Sequence, residues 1–240
     1  SLVFGLIPAV RAARPRLHDA LKASGTGGGR GTRRLRSSLI VAEVILATVL
    51  VIGAGLLARS YASLRAVDPG FTAEGLLTMA MTLPEDRYST DADRQRFFEA
   101  VGERVRSIPG IASAGFVNAL PFSTYDSGTR VEIDGVPSAR GRDLYTAYRV
   151  VSPGYFETMS IAVTRGRTFT ADDRADGLPA AVVNAAFAGR YLDGNAVGRR
   201  IRVGREETGG PWLTIVGVVG DVHHSQLTQE PGPQLYVPLT

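Results

Sequence analysis

The hydrophobic positions of this chain fall into one long unbroken block and a series of short alternating ones. The block is Leu39–Leu57, LIVAEVILATVLVIGAGLL, with Leu, Ile or Val at twelve of nineteen positions and one charge, Glu43. Nineteen helical residues at about 1.5 Å each reach roughly 28 Å, close to the ~30 Å hydrocarbon core of a bilayer. The twelve branched residues favour insertion by about 4–7 kcal/mol, more than the roughly 3 kcal/mol that Glu43 costs even at mid-bilayer. Glu43 lies about one turn in, so its side chain can reach the interface. A buried core helix would show a polar face, and a signal peptide would have a shorter apolar run. Leu56–Val67 (LLARSYASLRAV) contains no Gly or Pro and keeps Leu57, Tyr61 and Leu64 at helical spacing. The pattern predicts one helix running past the membrane to about Val67, stopped by Asp68-Pro69-Gly70.

Beyond that stop the period changes. Leu77, Met79, Met81 and Leu83 alternate within Glu74–Pro84, which reads as a strand. Thr90 is an N-cap candidate for a helix that would bury Phe97, Phe98, Val101, Val105 and Ile108, with Pro109-Gly110 as its stop. Ile111–Asn118 reads as a second strand, making a β-α-β unit over 74–118. Short strands follow at Arg130–Asp134, Tyr145–Val151, Ile161–Val163, Ala180–Val183, Arg200–Val203, Leu213–Val219 and Leu235–Leu239, with helical pieces at Pro153–Met159 and Ala185–Leu192. The fold class is α+β: a transmembrane helix, then a mixed α/β domain over 68–240. Its expected plan is a base formed by 74–124 and 176–240, carrying a strand-rich insertion at about 125–175.

Charge distribution sets the topology. Residues 1–65 carry ten Lys/Arg against Asp19 and Glu43, whereas the remainder carries 17 basic and 21 acidic residues. The excess positive charge therefore sits beside the apolar block, and the large domain is mildly acidic. A nucleic-acid surface would need basic residues on the folded domain, so nucleic acid is excluded as a partner. Arg30, Arg33, Arg34 and Arg36 precede the span while only Arg59 and Arg65 closely follow it. The positive-inside rule places 1–38 in the cytoplasm and 60–240 outside. Leu2–Val10 reads as the end of a preceding span. Ala12–Ala23 reads as an interfacial helix against membrane lipid. Ser24–Thr32 (SGTGGGRGT) begins a flexible basic linker that extends to residue 38.

Candidate chemistry is sparse. The chain has no cysteine, which removes thiol catalysis, disulfides and cysteine metal sites. The glycine run lacks the following Lys-Ser/Thr of a phosphate loop, since Lys22 lies upstream. Asp221, His223 and His224 have metal-ligand chemistry, but adjacent residues on a strand end point to opposite faces. Asp172 and Asp173 fit a helix cap or solvated turn better than a catalytic pair. Arg165 and Arg167 about Gly166 fit a structural salt bridge. No serine lies in a nucleophile elbow. The residues thus assign no catalytic, cofactor-binding or metal site, and a membrane-anchored enzyme is disfavoured.

Several stretches together carry a resemblance. They are PAVRAARP at 8–15, RSSLIVAE at 36–43, GAGLLARS at 53–60, VDPGF at 67–71, VSPGYFETM at 151–159, Arg165-Gly166-Arg167 with Phe169, and TIVGVVGDV at 214–222. In this order they resemble FtsX/MacB-type ABC transporter permeases, in particular their MacB-like periplasmic core domain and the long subfamily with two copies of the unit. The resemblance implies that 1–23 closes a preceding permease membrane domain and 39–240 opens the next copy in a bacterial inner membrane. It implies no enzymatic activity in this chain and no cofactor. A separate ABC ATPase would drive the permease, and the ectodomain would couple helix movements to export or periplasmic work. A periplasmic adaptor or a second permease copy would be further partners. The other reading of the same pattern is a single-anchor extracytoplasmic sensor or adhesion domain.

Overall fold

A computed structural model of the chain describes residues 30–123, 127–136, 144–170, 172–173, 179–204 and 209–239. The expectations for residues 1–23 and for the glycine-rich 24–29 lie outside these. The chain divides into two compact units, Ser1–Ser63 and Leu64–Thr240.

The first unit contains one long helix, α1 (Arg30–Arg65). Its 36 residues correspond to about 54 Å, roughly 24 Å more than a bilayer's hydrocarbon core. It is the one helix among the described residues long and apolar enough to cross a membrane, and none of its apolar window is buried. Three of its hydroxyls, those of Ser38, Thr48 and Ser63, bond back to the helix's own carbonyls. Thr48 Oγ1 donates to the Val44 carbonyl at 2.7 Å, and Ser63 Oγ to that of Arg59 at 3.0 Å. The helix starts earlier than expected: residues 30–38, expected as linker, are helical. Arg33, Arg34, Leu35 and Arg36 are good helix formers, and extending a nucleated helix costs far less than starting one.

The second unit begins with α2 (Asp91–Arg106). Thr90 caps it, its Oγ1 accepting the Asp93 N–H at 3.1 Å and donating to the Asp93 carboxylate at 2.6 Å. The Thr90 hydroxyl holds the Asp93 carboxyl below the usual carboxylate range. Phe97 and Phe98 are half-buried, and Phe98 meets Phe116 at 5.1 Å. Ile108, expected inside, is 51% exposed because the helix has ended at Arg106.

The strands expected on either side of α2 do not form. Residues 74–84 belong to no ladder, with Leu77 89% and Met79 73% exposed. Residues 111–118 contribute a single bridge, Val117 to Val151. Alternation marks an apolar face; a ladder also requires a neighbouring backbone, which 74–84 does not pair with among the described residues and which 111–118 meets only at 116–118, against 150–152.

The remaining elements are β1 (Gly128–Ile133), β2 (Leu144–Val151), α3 (Tyr155–Thr158), β3 (Val163–Gly166), β4 (Ala180–Asn184), α4 (Ala185–Leu192), β5 (Arg200–Val203), β6 (Trp212–Val219) and β7 (Gln234–Pro238). All seven strands lie in one sheet, ordered β3-β6-β4-β7-β2-β1-β5, and β5 also pairs with β6. The sheet therefore closes on itself through six strands. One edge of β6 is shared, with β5 against residues 212–214 and β3 against 217–219. The strands of the stretch expected as an insertion, β1, β2 and β3, thus share one sheet with those of 176–240 and do not form a separate layer. β2–β7 and β4–β6 are parallel, the other pairs antiparallel.

Both faces of the central strands are buried, which explains the uninterrupted apolar run of β4. Ala181 and Val183 join Val131, Ile133, Ile201, Ile215 and Leu235 around Phe187 of α4. Ala180 and Val182 face the opposite cluster, with Tyr155, Phe156, Met159, Val219 and Tyr236.

Candidate functional site: the helix exit and its polar lock

The chain leaving α1 is fastened to the sheet within a few residues. The Asp68 carboxylate accepts the Gly70 N–H at 2.8 Å, closing the turn that the sequence predicts. The Pro69 carbonyl accepts the His223 N–H at 3.0 Å, and the Thr72 N–H donates to the Met159 carbonyl at 3.1 Å. Residues 69–72 are thereby tied both to the segment leaving β6 and to the end of α3. Gly70 makes the approach feasible. Its φ is +84°, and a Cβ there would lie 1.9 Å from the Asp221 carbonyl oxygen.

Asp221 beneath this turn belongs to a wider network. One of its carboxylate oxygens, Oδ1, accepts the Asn184 side-chain N–H at 2.7 Å and the Ala186 backbone N–H at 2.9 Å. That places a carboxylate at the N-terminus of α4, where the helix dipole favours it. Asn184, fully buried, is the cap of α4: its Oδ1 accepts the Phe187 N–H at 3.0 Å and the Gln234 N–H at 2.8 Å. Its amide also donates to Gly232 O at 2.9 Å. The Gln234 amide continues the chain, donating to Val222 O at 2.7 Å and accepting the Tyr236 hydroxyl. Burial pushes the Tyr236 hydroxyl far above its usual pKa and that of Tyr155 up to about 12, so both stay neutral. Tyr236 donates to Gln234, while the buried Tyr155 hydroxyl has no hydrogen-bond partner among the described residues. A hydrogen-bonded buried network of this kind fixes geometry.

The Arg-Gly-Arg motif forms a second fastening. Arg167 pairs with both oxygens of Asp173, at 2.5 and 2.8 Å, and Asp173 also accepts the Thr170 N–H at 2.8 Å. The hydrogen bond from Arg167 holds the Asp173 carboxyl below its usual range. Asp173 is buried in a turn closed on Thr170, where a helix cap or solvated turn is expected, and Asp172 acts on Arg167 through its charge. Arg165 donates to Gly194 O at 2.8 Å. In the VSPGYFETM stretch, Ser152 Oγ accepts the Phe116 N–H at 2.8 Å while Tyr155 and Phe156 enter the core.

The two histidines lie past the end of β6, in an irregular segment. His224 is buried and His223 half-buried, with His223 Nδ1 3.2 Å from Gln226 O. Among the described residues no group of three or more His, Cys, Asp or Glu could hold a metal ion. His18 and Lys22 lie outside the described residues. Sequence reasoning missed the roles of Asn184 and Asp221. The signal available was Asn184 directly before Ala185–Leu192, at the position of a helix cap.

Residues 69–72, which follow a helix long and apolar enough to cross a membrane, are thus hydrogen-bonded within the sheet unit. The model of one family, the MacB-like periplasmic core domain, matches residues 37–240. The chain belongs to this family, the ectodomain class of MacB-type ABC transporter permeases. Among solved structures it is similar to the periplasmic region of MacB from Actinobacillus actinomycetemcomitans, at 14% identity and a TM-score of 0.41, over 59% of this chain and 54% of that one. It is similar also to the extracellular domain of the noncanonic ABC-type transporter YknZ from Gram-positive bacteria, at 18% identity and a TM-score of 0.38, over 59% and 62%. The chain thus spans less than two thirds of the solved relatives it matches. A search of curated proteins gives no match.

Proposed function

We propose that this chain is the anchor and extracytoplasmic domain of an ABC transporter permease subunit, and that it passes ATP-driven movement of the membrane helices to export or periplasmic work on a substrate. On this reading Leu39–Leu57 spans the inner membrane, 68–240 is the core domain outside it, and 1–38 is cytoplasmic. Residues 1–23 close a preceding membrane domain, as in a permease with two copies of the unit. A separate ABC ATPase supplies the energy, and this chain catalyses nothing itself. A periplasmic adaptor or the second copy receives the movement.

The observation that carries the reading is the sequence of an unbroken 36-residue helix and, directly after it, the bonded turn at 69–72. A joint made of glycine-rich coil would dissipate a displacement, whereas a continuous helix followed by a hydrogen-bonded turn passes it on. The test is a Gly-Gly-Ser insertion in the full-length permease. After Ser63 it is expected to abolish transport while leaving assembly and ATPase binding intact; after Gly28 it is expected to be tolerated. Equal tolerance at both places would favour a passive anchored domain, the sensor or adhesion reading.

A further inference from the structure

A cleft of about 490 Å³ opens between the first residues of β2, the last turn of α4 and the segment 222–234. Its volume lies within the roughly 300–1,000 Å³ typical of small-molecule sites. Two tyrosines form its walls. The Tyr145 ring lies against Gly128 so closely that a Cβ there would come within 2.3–2.4 Å of three of its atoms. Tyr145 is 60% exposed, so the rest of the ring is open to solvent. Tyr191 is held by its hydroxyl, which donates to the Tyr145 carbonyl at 2.9 Å, and by an edge-on contact with Phe187 at 5.0 Å. Neither ring needs to be ordered when a ligand arrives.

The polar lining is planar and electrically balanced. Arg190 contributes one fixed positive charge, Glu230 one negative charge, His223 and His224 imidazole rings, and Gln226, Gln229 and Gln234 neutral amides that both donate and accept. One cation matched by one anion gives an anionic or cationic ligand no net attraction. An apolar anchor side chain of a peptide finds little aliphatic surface: beside the two tyrosines the apolar lining is Ala147, Pro231, Pro233 and Val222, of which Val222 is fully buried. An exposed aromatic face with forked polar groups around it suits a molecule with one C–H face and many hydroxyls that each donate and accept.

We propose that this cleft binds a neutral saccharide, with one sugar ring on the Tyr145 face and its hydroxyls on Gln226, Gln229, Glu230 and Arg190. The lining shares Val222, His223 and Gln234 with the helix-exit lock, so the bound sugar touches the segment that fastens residues 69–72. The site itself does not depend on the transmission reading: the one hydrogen bond between residues 66–72 and its described lining, from the His223 N–H to the Pro69 carbonyl, is the same whether or not the helix passes movement on.

The test uses the full chain in phospholipid nanodiscs, without sugar-headed detergents, titrated with chitotriose and with maltotriose and followed by saturation-transfer NMR. At least one trisaccharide is expected to bind saturably, with a Kd of about 0.1–5 mM. Tyr145→Ala is expected to weaken it about tenfold or more and Tyr145→Phe no more than about threefold, since the ring face is what remains. Unfolding midpoints of both variants serve as the folding control. No saturation by either sugar up to about 20 mM, or equal binding by Tyr145→Ala, would overturn the proposal. Tetra-alanine binding that saturates and is lost in Tyr145→Ala would assign the cleft to polypeptide and overturn it equally.

Discussion

Two neighbouring stretches just past α1 behave in opposite ways. Residues 68–72 are short and half polar, yet their backbone is bonded to two separate elements of the sheet unit. Residues 74–84 carry the more regular apolar alternation, yet they join no ladder and leave Leu77 and Met79 largely exposed. Hydrophobic pattern and mechanical attachment are therefore separate properties. Attachment at the exit comes from a close backbone approach at Gly70 and from polar side chains behind it, whose individual bonds are geometrically strict.

The strongest way to break this contrast is to cut the lock at its centre. Asn184→Ala removes a helix cap and leaves the buried Gln234 N–H without its partner, while Asp221 keeps the Ala186 N–H. The stranded group costs about 1–3 kcal/mol and the cap about 1–2, so a loss of roughly 2–5 kcal/mol is expected in urea unfolding. A loss below about 1 kcal/mol would mean that water replaces these bonds and the network holds nothing in place.

Gly70→Ala comes next. It imposes a left-handed backbone on a residue with a Cβ and drives that Cβ into the Asp221 carbonyl. Strain and overpacking together are expected to cost about 2–4 kcal/mol. A neutral result would show that the turn is free to move off the sheet.

Much of this was readable in advance, and the reasons differ by element. The helix was visible because a membrane span is a long, redundant signal, and its continuation to Arg65 because residues 56–65 hold neither Gly nor Pro. α2, α4 and six of the seven strands lie within two residues of where their patterns place them, since each pattern repeats over a buried face. β3 sits further along, from Val163, because Ile161 is buried outside any strand. Closure of the sheet was not readable: it depends on which strand pairs with which, and β5 meeting β6 leaves no mark on period. The lock was partly readable. Asn184 before a helix announces a cap, but nothing near Asp221 in the chain announces Asn184, thirty-seven residues away.

The Arg167–Asp173 pair sharpens the comparison at intermediate cost. Asp173→Asn is expected to lose about 1–2 kcal/mol at neutral pH, the low end for a charged hydrogen bond because Arg167 is half exposed. The folded-state pKa of Asp173 is lowered, so its contribution is present above the unfolded value near 3.9 and disappears as pH falls through the lowered one. Wild-type and variant stabilities should therefore converge in acid. Parallel curves down to the acid limit would remove the ion pair from the account.

Leu77→Ser should do least, within about 0.5 kcal/mol, because the side chain it replaces is already in solvent. A loss above about 1.5 kcal/mol would place residues 74–84 in a packed environment and erase the contrast with 68–72.

The central claim is that the joint between α1 and the sheet unit is stiff. The chain has no cysteine, so Ser60→Cys and Val163→Cys supply the only two spin-label sites in it. Pulsed electron resonance on the full-length permease with its ATPase would then report the distance across the joint. A single narrow distance distribution, the same with ATP bound and without nucleotide, is the expected result. A broad distribution, or one that splits between the two states, would contradict stiff transmission.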